Sequence, residues 1–343
     1  MLNNLENDIL DLALDALKKY INLPIEIQEQ CPINNTLKVD VLIKIKVQKM
    51  DLYYCAEIKP DVNKTTLGLL LQQKRLFPHQ QLLVARYINP YMAEELRKNE
   101  IQFIDIIGNA YLNNFPLYVY IKGNKPDETF TKPLRLKAFK PTGLKMVYAL
   151  LRDDGLADKP YREIAQAAGI ALGTVGWVLR DLKELGFLIE MGEKGKKLIR
   201  QKDLLDRWCA DYMEKLKPKL VLGKFKGQDN WWKKYNLKPD AAQWGGEVAA
   251  NMLTNYLKPQ QVIIYLDRNR LKDIIIENRL ARDADGETEL LERFWPVKEN
   301  RANKNTVHPI LVYADLLATG DQRNIETAKV VYEQHIAGYF GKD

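Results

Sequence analysis

Residues 142–200 read TGLKMVYALLRDDGLADKPYREIAQAAGIALGTVGWVLRDLKELGFLIEMGEKGKKLIR. Apolar residues recur here at helical spacing in three successive runs. Thr142–Arg152 turns Leu144, Val147, Leu150 and Leu151 to one side. Tyr161–Ala168 is a second helix, ended by Gly169, a residue that takes the left-handed turn after a helix without steric cost. A third starts at Leu172 or Gly173, carries Val175, Val178, Leu179, Leu182 and Leu185 as its apolar stripe, and stops at Gly186. Phe187–Met191 and Lys197–Arg200 then form a hairpin about Gly192-Glu193-Lys194-Gly195.

Three helices, a glycine stop and a basic hairpin in this order describe a winged helix. In such folds the third helix enters the major groove and the wing touches phosphate. The outward positions are Thr174, Gly176, Trp177, Arg180, Asp181 and Lys183. Arg180 suits guanine or phosphate. Thr174 sits where free N–H groups at a helix start favour phosphate. Lys194, Lys196 and Lys197 make the wing positive. The helix start, ALGTVG (171–176), lacks Arg, Asn and Gln, so shape and backbone contacts are expected to outweigh direct base readout. A protein-docking module is the alternative for the same fold.

The bulk properties agree with a globular protein that meets an anionic partner. The chain has 343 residues, 46% hydrophobic and 28% charged, enough for two or three packed domains, and carries a net charge of +7. No apolar run is long enough to span a membrane. The acidic, amphipathic start MLNNLENDILDLALDAL is unlike a secretory leader, and Cys31, Cys55 and Cys209 are too far apart for a disulfide framework or a zinc site. Together these point to the cytoplasm.

Residues 1–122 mix both periodicities. Leu5, Ile9, Leu12, Ala13 and Leu17 mark a helix; Ile25–Gln28, Leu37–Gln48 and Leu52–Ile58 read as strands. A helix over Thr65–Phe77, a strand over Gln81–Tyr87, a helix over Pro90–Asn99 and strands over Ile101–Ile107 and Tyr118–Ile121 complete an α/β domain with a mixed sheet. In Leu37–Gln48, Val39, Val41, Ile43, Ile45 and Val47 share one face, and Asp40, Leu42, Lys44 and Lys46 the other. Glu57 and Lys59 share a face of the next strand. A Gln48-Lys49 turn puts Asp40 opposite Glu57; a Lys49-Met50 turn puts it opposite Lys59. Either register gathers two carboxylates, which suit Mg²⁺, and a lysine to orient water and offset charge.

This order of elements, with Asp40 on one strand, Glu57-Ile58-Lys59 on the next and a helix after it, resembles the PD-(D/E)XK, or restriction-endonuclease-like, fold. Gln72 and Gln73 on that helix resemble the glutamine of some such nucleases, and Glu6 is a further acidic candidate. The resemblance implies Asp40, Glu57, Lys59 and Gln73 as catalytic candidates, with Asp40 and Glu57 as metal ligands. Val39 stands where that pattern has proline. Elsewhere, Asp105 before Gly108-Asn109-Ala110 is read mainly as a turn residue. His79, His308 and His335 are scattered and receive no catalytic role. Trp231 and Trp232 are read as sealing a domain junction, with base stacking the alternative, and Asp321 as a helix cap.

The expected architecture is therefore a mixed α/β, multidomain chain. It comprises a restriction-endonuclease-like domain (1–122), a basic linker (123–141), a winged helix with a trailing helix (142–223) and an α+β domain (224–343) in which Gln261–Leu266 is the clear strand. The stretches IQFIDIIGNAYL (101–112), PTGLKMVYALL (141–151), PYREIAQAAGIALGTVGWVLRDLKELGFL (160–188), WGGEVAANML (244–253) and HPILVYADLLATGDQRNIETAK (308–329) resemble AbiEi-like antitoxins of bacterial type IV toxin–antitoxin, or abortive-infection, systems. That resemblance implies a winged helix that binds the promoter of its own operon. It also implies a C-terminal domain that counters a nucleotidyltransferase-like toxin without requiring a stable complex. A nuclease-like domain ahead of the winged helix departs from the short antitoxins.

Three functions follow as expectations. The first is a transcriptional regulator and antitoxin that contacts double-stranded DNA through Thr174, Trp177, Arg180, Lys183, Lys194, Lys196 and Lys197 and needs no cofactor. The second is a Mg²⁺-dependent nuclease delivered to DNA by the winged helix. The third is a non-catalytic docking protein. No membrane partner is expected, and a homodimer is left open.

Overall fold

A computed structural model describes residues 4–28, 32–34, 37–38, 40–73, 78–126, 136–192, 195–296 and 305–340. Val39, Lys194, Cys31 and much of the 123–141 linker fall outside this set. The chain is mixed α/β and divides into two compact units, residues 1–135 and 136–343.

The first unit opens with α1 (Asn4–Lys18). Its inward face is Ile9, Leu10, Ala13, Leu14 and Leu17, while Leu12 turns outward at 46% exposure. The strands are β1 (Ile25–Gln28), β2 (Pro32–Asn34), β3 (Leu37–Lys38), β4 (Val41–Val47) and β5 (Met50–Lys59). After α2 (Lys64–Gln73) come β6 (Gln80–Ala85), α3 (Pro90–Lys98), β7 (Gln102–Asp105), β8 (Ala110–Asn114) and β9 (Leu117–Ile121). Seven of the strands form one sheet in the order β1-β4-β5-β6-β7-β8-β9, and β2 pairs with β3 separately. The run read as one strand from Leu37 to Gln48 is thus broken, with Asp40 at a bend just before β4.

The ladders β1–β4, β4–β5, β7–β8 and β8–β9 are antiparallel; β5–β6 and β6–β7 are parallel, each joined through a helix. On one face, the α1 residues pack with Ile43, Ile45, Tyr54, Ala56, Ile58, Leu82, Val84 and Ile104. On the other, Leu67 and Leu70 of α2 and Met92 and Leu96 of α3 pack with Leu83, Ala85 and Phe103. Strands β6 and β7 are therefore covered on both faces, with Leu82, Val84 and Ile104 on one side and Leu83, Ala85 and Phe103 on the other.

The second unit begins with a short 3₁₀ turn (Lys137–Phe139) and α4 (Pro141–Arg152), α5 (Tyr161–Ala168) and α6 (Leu172–Glu184). A hairpin of β10 (Leu188–Glu190) and β11 (Lys196–Leu198) follows. Gly169 takes φ +63° at the end of α5, as its place after the helix requires. Next come α7 (Gln201–Asp211), a π-helical turn (Tyr212–Leu216) and α8 (Lys217–Leu220). Then follow β12 (Val221–Lys226), β13 (Ala242–Gly245), α9 (Gly246–Thr254), β14 (Val262–Leu266), α10 (Leu271–Glu277), β15 (Ala281–Arg282), β16 (Thr288–Glu292), α11 (Pro309–Leu317) and α12 (Gln322–His335).

Residues 221–292 hold a five-stranded sheet, order β13-β14-β16-β12-β15, in which only β14–β16 is parallel among the described pairs. Of these strands only β14 is legible as such in the sequence. VLGKFK (221–226) carries a glycine and lysines, AQWG (242–245) is four residues long, and neither shows a clean period. Trp231 lies inside this unit's own core, its indole N–H donating to Thr288 Oγ1 at 3.3 Å and its ring against Trp244. Asp321 caps α12 by accepting from Asn324 N, as expected.

One core joins the helices of residues 136–200 to the sheet and helices after them. Trp208 of α7 donates from Nε1 to Leu144 O of α4 at 2.8 Å. Its ring stacks on Tyr148 and on Tyr212 at 5.3 and 4.8 Å between centroids, and Tyr148 also meets Phe294 and Trp295. Beside this column lies a sealed polar network. Lys217 Nζ donates to Asp315 Oδ1 at 2.8 Å and pairs with Glu289 at 3.4 Å. Tyr265 OH donates to Asp315 and is bonded to Tyr212 OH at 2.7 Å. Burial pulls the Lys217 ammonium down, but Asp315 and Glu289 outweigh it and the net direction is up; burial pushes the Asp315 carboxyl up against the pull of Lys217.

Candidate functional site

Two clusters of polar side chains stand apart from the cores, one in each unit. In the second unit cations gather about α6 and on the β10–β11 hairpin. The hairpin is pinned at its turn end by Asp158, whose Oδ1 accepts from Lys196 N at 3.0 Å. A Cβ on Gly195 would come within 2.2 Å of that same oxygen, and its φ is +77°, so only glycine fits there. From α6, Trp177 is 44% exposed, and both Lys137 Nζ and the Arg180 guanidinium lie over its ring, 3.6 and 4.3 Å from the centroid. Arg180 also reaches Glu184 at 3.7 Å. Thr174 is half-buried in the first turns of α6, and Lys196 and Lys197 are half-buried on β11.

Two details differ from the sequence reading. Asp181 does not face outward: it is 4% exposed, and its Oδ2 accepts from Ala138 N at 3.0 Å. The 3₁₀ turn before α4 packs on α6, and its free N–H needs an acceptor that a dry interface supplies only from a side chain. Lys183 is exposed but donates to Glu190 of β10 at 2.6 Å, which holds the Glu190 carboxyl below its ordinary value. Lys183 therefore ties the helix to the hairpin and contributes less free positive charge than the sequence suggests. Lys137 is the residue that sequence reasoning missed. It lay inside a basic linker with nothing to distinguish it from its neighbours.

In the first unit the hairpin register is Val47↔Met50, so the turn is Gln48-Lys49, the first of the two alternatives. Asp40 Oδ2 accepts from Ile58 N at 2.9 Å, the residue directly after Glu57. Glu57 is 6% exposed, and Lys59 Nζ lies 3.6 Å from its Oε2. With its amide turned to donate, as the surrounding acceptors require, Gln73 reaches both Glu57 oxygens, at 2.6 and 3.1 Å. Gln81 of β6 donates to Glu57 Oε1 at 3.2 Å. The structure thus gathers Lys59, Gln73 and Gln81 on the Glu57 carboxylate, with Asp40 held by the backbone of the next residue, Ile58.

Gln81 was not singled out in the sequence, because its position depends on the parallel pairing Cys55↔Gln81, which no local pattern encodes. Its side-chain oxygen is buried and finds no hydrogen-bond partner among the described residues. Two carboxylates and an amide oxygen are a hard donor set of the kind Mg²⁺ accepts. Among the described residues there is no group of three or more His, Cys, Asp or Glu side chains placed to hold a metal ion. Glu6 is buried in α1. Asp105 is wholly buried, accepts from the N–H groups of Ile88, Ile107 and Asn109, and is pushed up by that burial; it builds the turn at Gly108.

Among known proteins, the likeness lies at the C-terminal side. Residues 197–337 match the family model described as "Transcriptional regulator, AbiEi antitoxin, Type IV TA system". The match covers less than half of the chain, and it begins within the hairpin and runs through the sheet and helices of the second unit. No curated protein matches the chain. No solved structure matches it either. No helix among the described residues is long and apolar enough to cross a membrane.

Proposed function

We propose that this protein is a DNA-binding transcriptional regulator and antitoxin of a type IV toxin–antitoxin system, and that residues 141–200 act as its winged helix. The family likeness over 197–337 supports the antitoxin role. The observation that carries the DNA role is the cluster on α6, where Arg180 and Lys137 lie over the Trp177 ring, together with Lys196 and Lys197 on β11 of the hairpin that follows. In this reading α6 lies in the major groove, the start of α6 at Thr174 meets phosphate, and the hairpin grips the backbone. Lys194 belongs to the same hairpin by sequence. Residues 224–343 counter a nucleotidyltransferase-like toxin.

The test is binding to a duplex carrying the promoter of the protein's own operon, measured over a salt series. Replacing Lys196 and Lys197 by alanine is expected to weaken binding to all sequences and to flatten the salt dependence by about one unit of slope for each phosphate that is no longer neutralised. Arg180→Ala is expected to weaken it about tenfold or more. Affinity unchanged by these substitutions would overturn the reading and favour a protein-docking surface.

A second reading concerns the first unit. Lys59 and Gln73 gathered on Glu57, with Asp40 on the backbone N–H of Ile58, support a nuclease-like site of the PD-(D/E)XK type. Asp40 and Glu57 would hold Mg²⁺ there, and a bound metal supplies phosphate polarisation and an activated water. Lys59 neutralises Glu57 and is placed to orient that water; Gln73 and Gln81 fix the Glu57 carboxylate. Incubation with plasmid DNA and Mg²⁺ or Mn²⁺ tests it. Cleavage abolished by Glu57→Ala supports it, and no cleavage under either metal sinks it.

A further inference from the structure

The outward face at the start of α6 carries almost no hydrogen-bonding side chain. Leu172 is 46% exposed and Trp177 44% exposed, and between them Gly173 and Gly176 leave the backbone bare. A Cβ at Gly173 would meet open space, and one at Gly176 would meet only the ring of Tyr161, at 3.5 Å. No Asn or Gln occurs anywhere in α6. Yet this apolar strip is set among cations, with Lys137 and Arg180 over the Trp177 ring. Those two cations flank the indole, and Arg180 also reaches Glu184 at 3.7 Å.

An apolar surface framed by positive charge fits one feature of a DNA major groove. Each base pair shows donors and acceptors there, but only thymine shows a methyl group. Direct readout of adenine calls for an amide side chain, and α6 has none. The two glycines let the helix backbone approach the base edges more closely than any larger residue would allow. We propose that Trp177, with Leu172, is a specificity-determining residue that selects thymine by contact with its 5-methyl group, so that the helix favours A·T steps through apolar contact. The inference rests on the reading that α6 enters the major groove.

Four duplexes of about 20 base pairs test it with the full chain: alternating dA-dT, the same with dU in place of dT, alternating dG-dC, and the same with 5-methylcytosine. Removing or adding the methyl group changes little else on the groove edge. Binding is read by fluorescence anisotropy at low salt. The dA-dT duplex is expected to bind more tightly than the dA-dU duplex by about fourfold for each methyl group buried. Methylating cytosine is expected to strengthen binding in the same sense. Trp177→Ala is expected to bring the dT/dU ratio close to one while leaving salt-dependent binding in place.

Equal affinity of the unmodified protein for dT and dU duplexes would overturn the inference. So would a ratio that persists in Trp177→Ala, which would assign the preference to groove shape. A uniform loss on all four duplexes in that variant would make Trp177 a mere support for its cations and would also overturn it. Failure to bind any duplex is a different result: it would remove the DNA-binding reading itself. Because Trp177 is exposed, its removal is not expected to unfold the chain, and a thermal melt of the variant checks this.

Discussion

Each unit of this molecule holds a lysine against a carboxylate, and the two pairs have been placed very differently. In the second unit Lys217 and Asp315 are buried together, with side chains 9% and 0% exposed; Tyr265 and Tyr212 complete the network, and only Glu289, at 21%, reaches towards solvent. In the first unit Glu57 is nearly as buried, at 7%, but Lys59 keeps 23% of its side chain in solvent. Burying both charges makes each dependent on the other, since neither can turn to water. Leaving one at the surface keeps an approach open. A sealed pair can fix a fold; an open one can meet a ligand. The second unit keeps its exposed positive charge elsewhere, on α6 and the hairpin, outside the core that its sealed network stabilises.

The sharpest way to break this contrast is to remove the same amine from both. Lys217→Met should cost about 3–5 kcal/mol of unfolding free energy, because Asp315 is left as a buried charge without its cation. Replacing Asp315 by leucine in the same chain should recover much of that loss, since the uncompensated charge goes with it. Chemical denaturation measures both. A loss below about 1 kcal/mol for Lys217→Met would show that water reaches Asp315 and that the network is not sealed.

Asp181→Ala comes next, at about 1–3 kcal/mol, the cost of leaving the Ala138 N–H buried without an acceptor. It carries a second expectation. Asp181 anchors the turn that contains Lys137, so its loss should free Lys137 from the Trp177 ring and change the tryptophan emission. A stability loss without any change in emission would detach the Lys137 contact from that turn. Lys59→Met should cost only about 1 kcal/mol, because Gln73 and Gln81 still donate to Glu57. If Lys59→Met matched Lys217→Met, the distinction between open and sealed pairs would fail.

The same contrast explains what could be read from the sequence. The helices α4, α5 and α6 and the hairpin are local objects: an apolar stripe every three or four residues, glycine stops and a glycine-rich turn are written in consecutive residues. So was the Asp40–Glu57 pairing, because a tight hairpin allows only a few registers. Gln81 joined the cluster through a parallel pairing across a helix, and Lys217 met Asp315 across 98 residues. No periodicity connects such positions. The sheet of residues 221–292 was hidden for the same reason, since its strands are short and its order departs from the order in sequence. Asp181 was misread by its spacing. The helical wheel gives an outward position only when nothing packs on that side, and the turn at Lys137–Phe139 does.

A third lysine–carboxylate pair, more exposed than the other two, sets the lower end of the scale. Glu94 of α3 is bonded to Lys122, to Tyr120 OH at 2.9 Å and to Arg97 at 3.1 Å. Lys122 first, then Tyr120 and Arg97, hold its carboxyl well below the usual range, at about 2. A folded-state value below the unfolded one means that the charged form is favoured by folding. The contribution is therefore fully present above the ordinary value of 4.5, and it is lost as the pH falls from there through about 2. Lys122→Ala should raise the Glu94 midpoint, followed by NMR titration, while Arg97 and Tyr120 keep it under 4.5. At neutral pH the melting temperature should hardly move, because an exposed pair contributes little net stability. If Glu94 titrates near 4.5 in the unaltered protein, its partners do not hold it. In that case even the weakest of the three pairs is weaker than its geometry implies, and the gap between surface and sealed pairs is wider still.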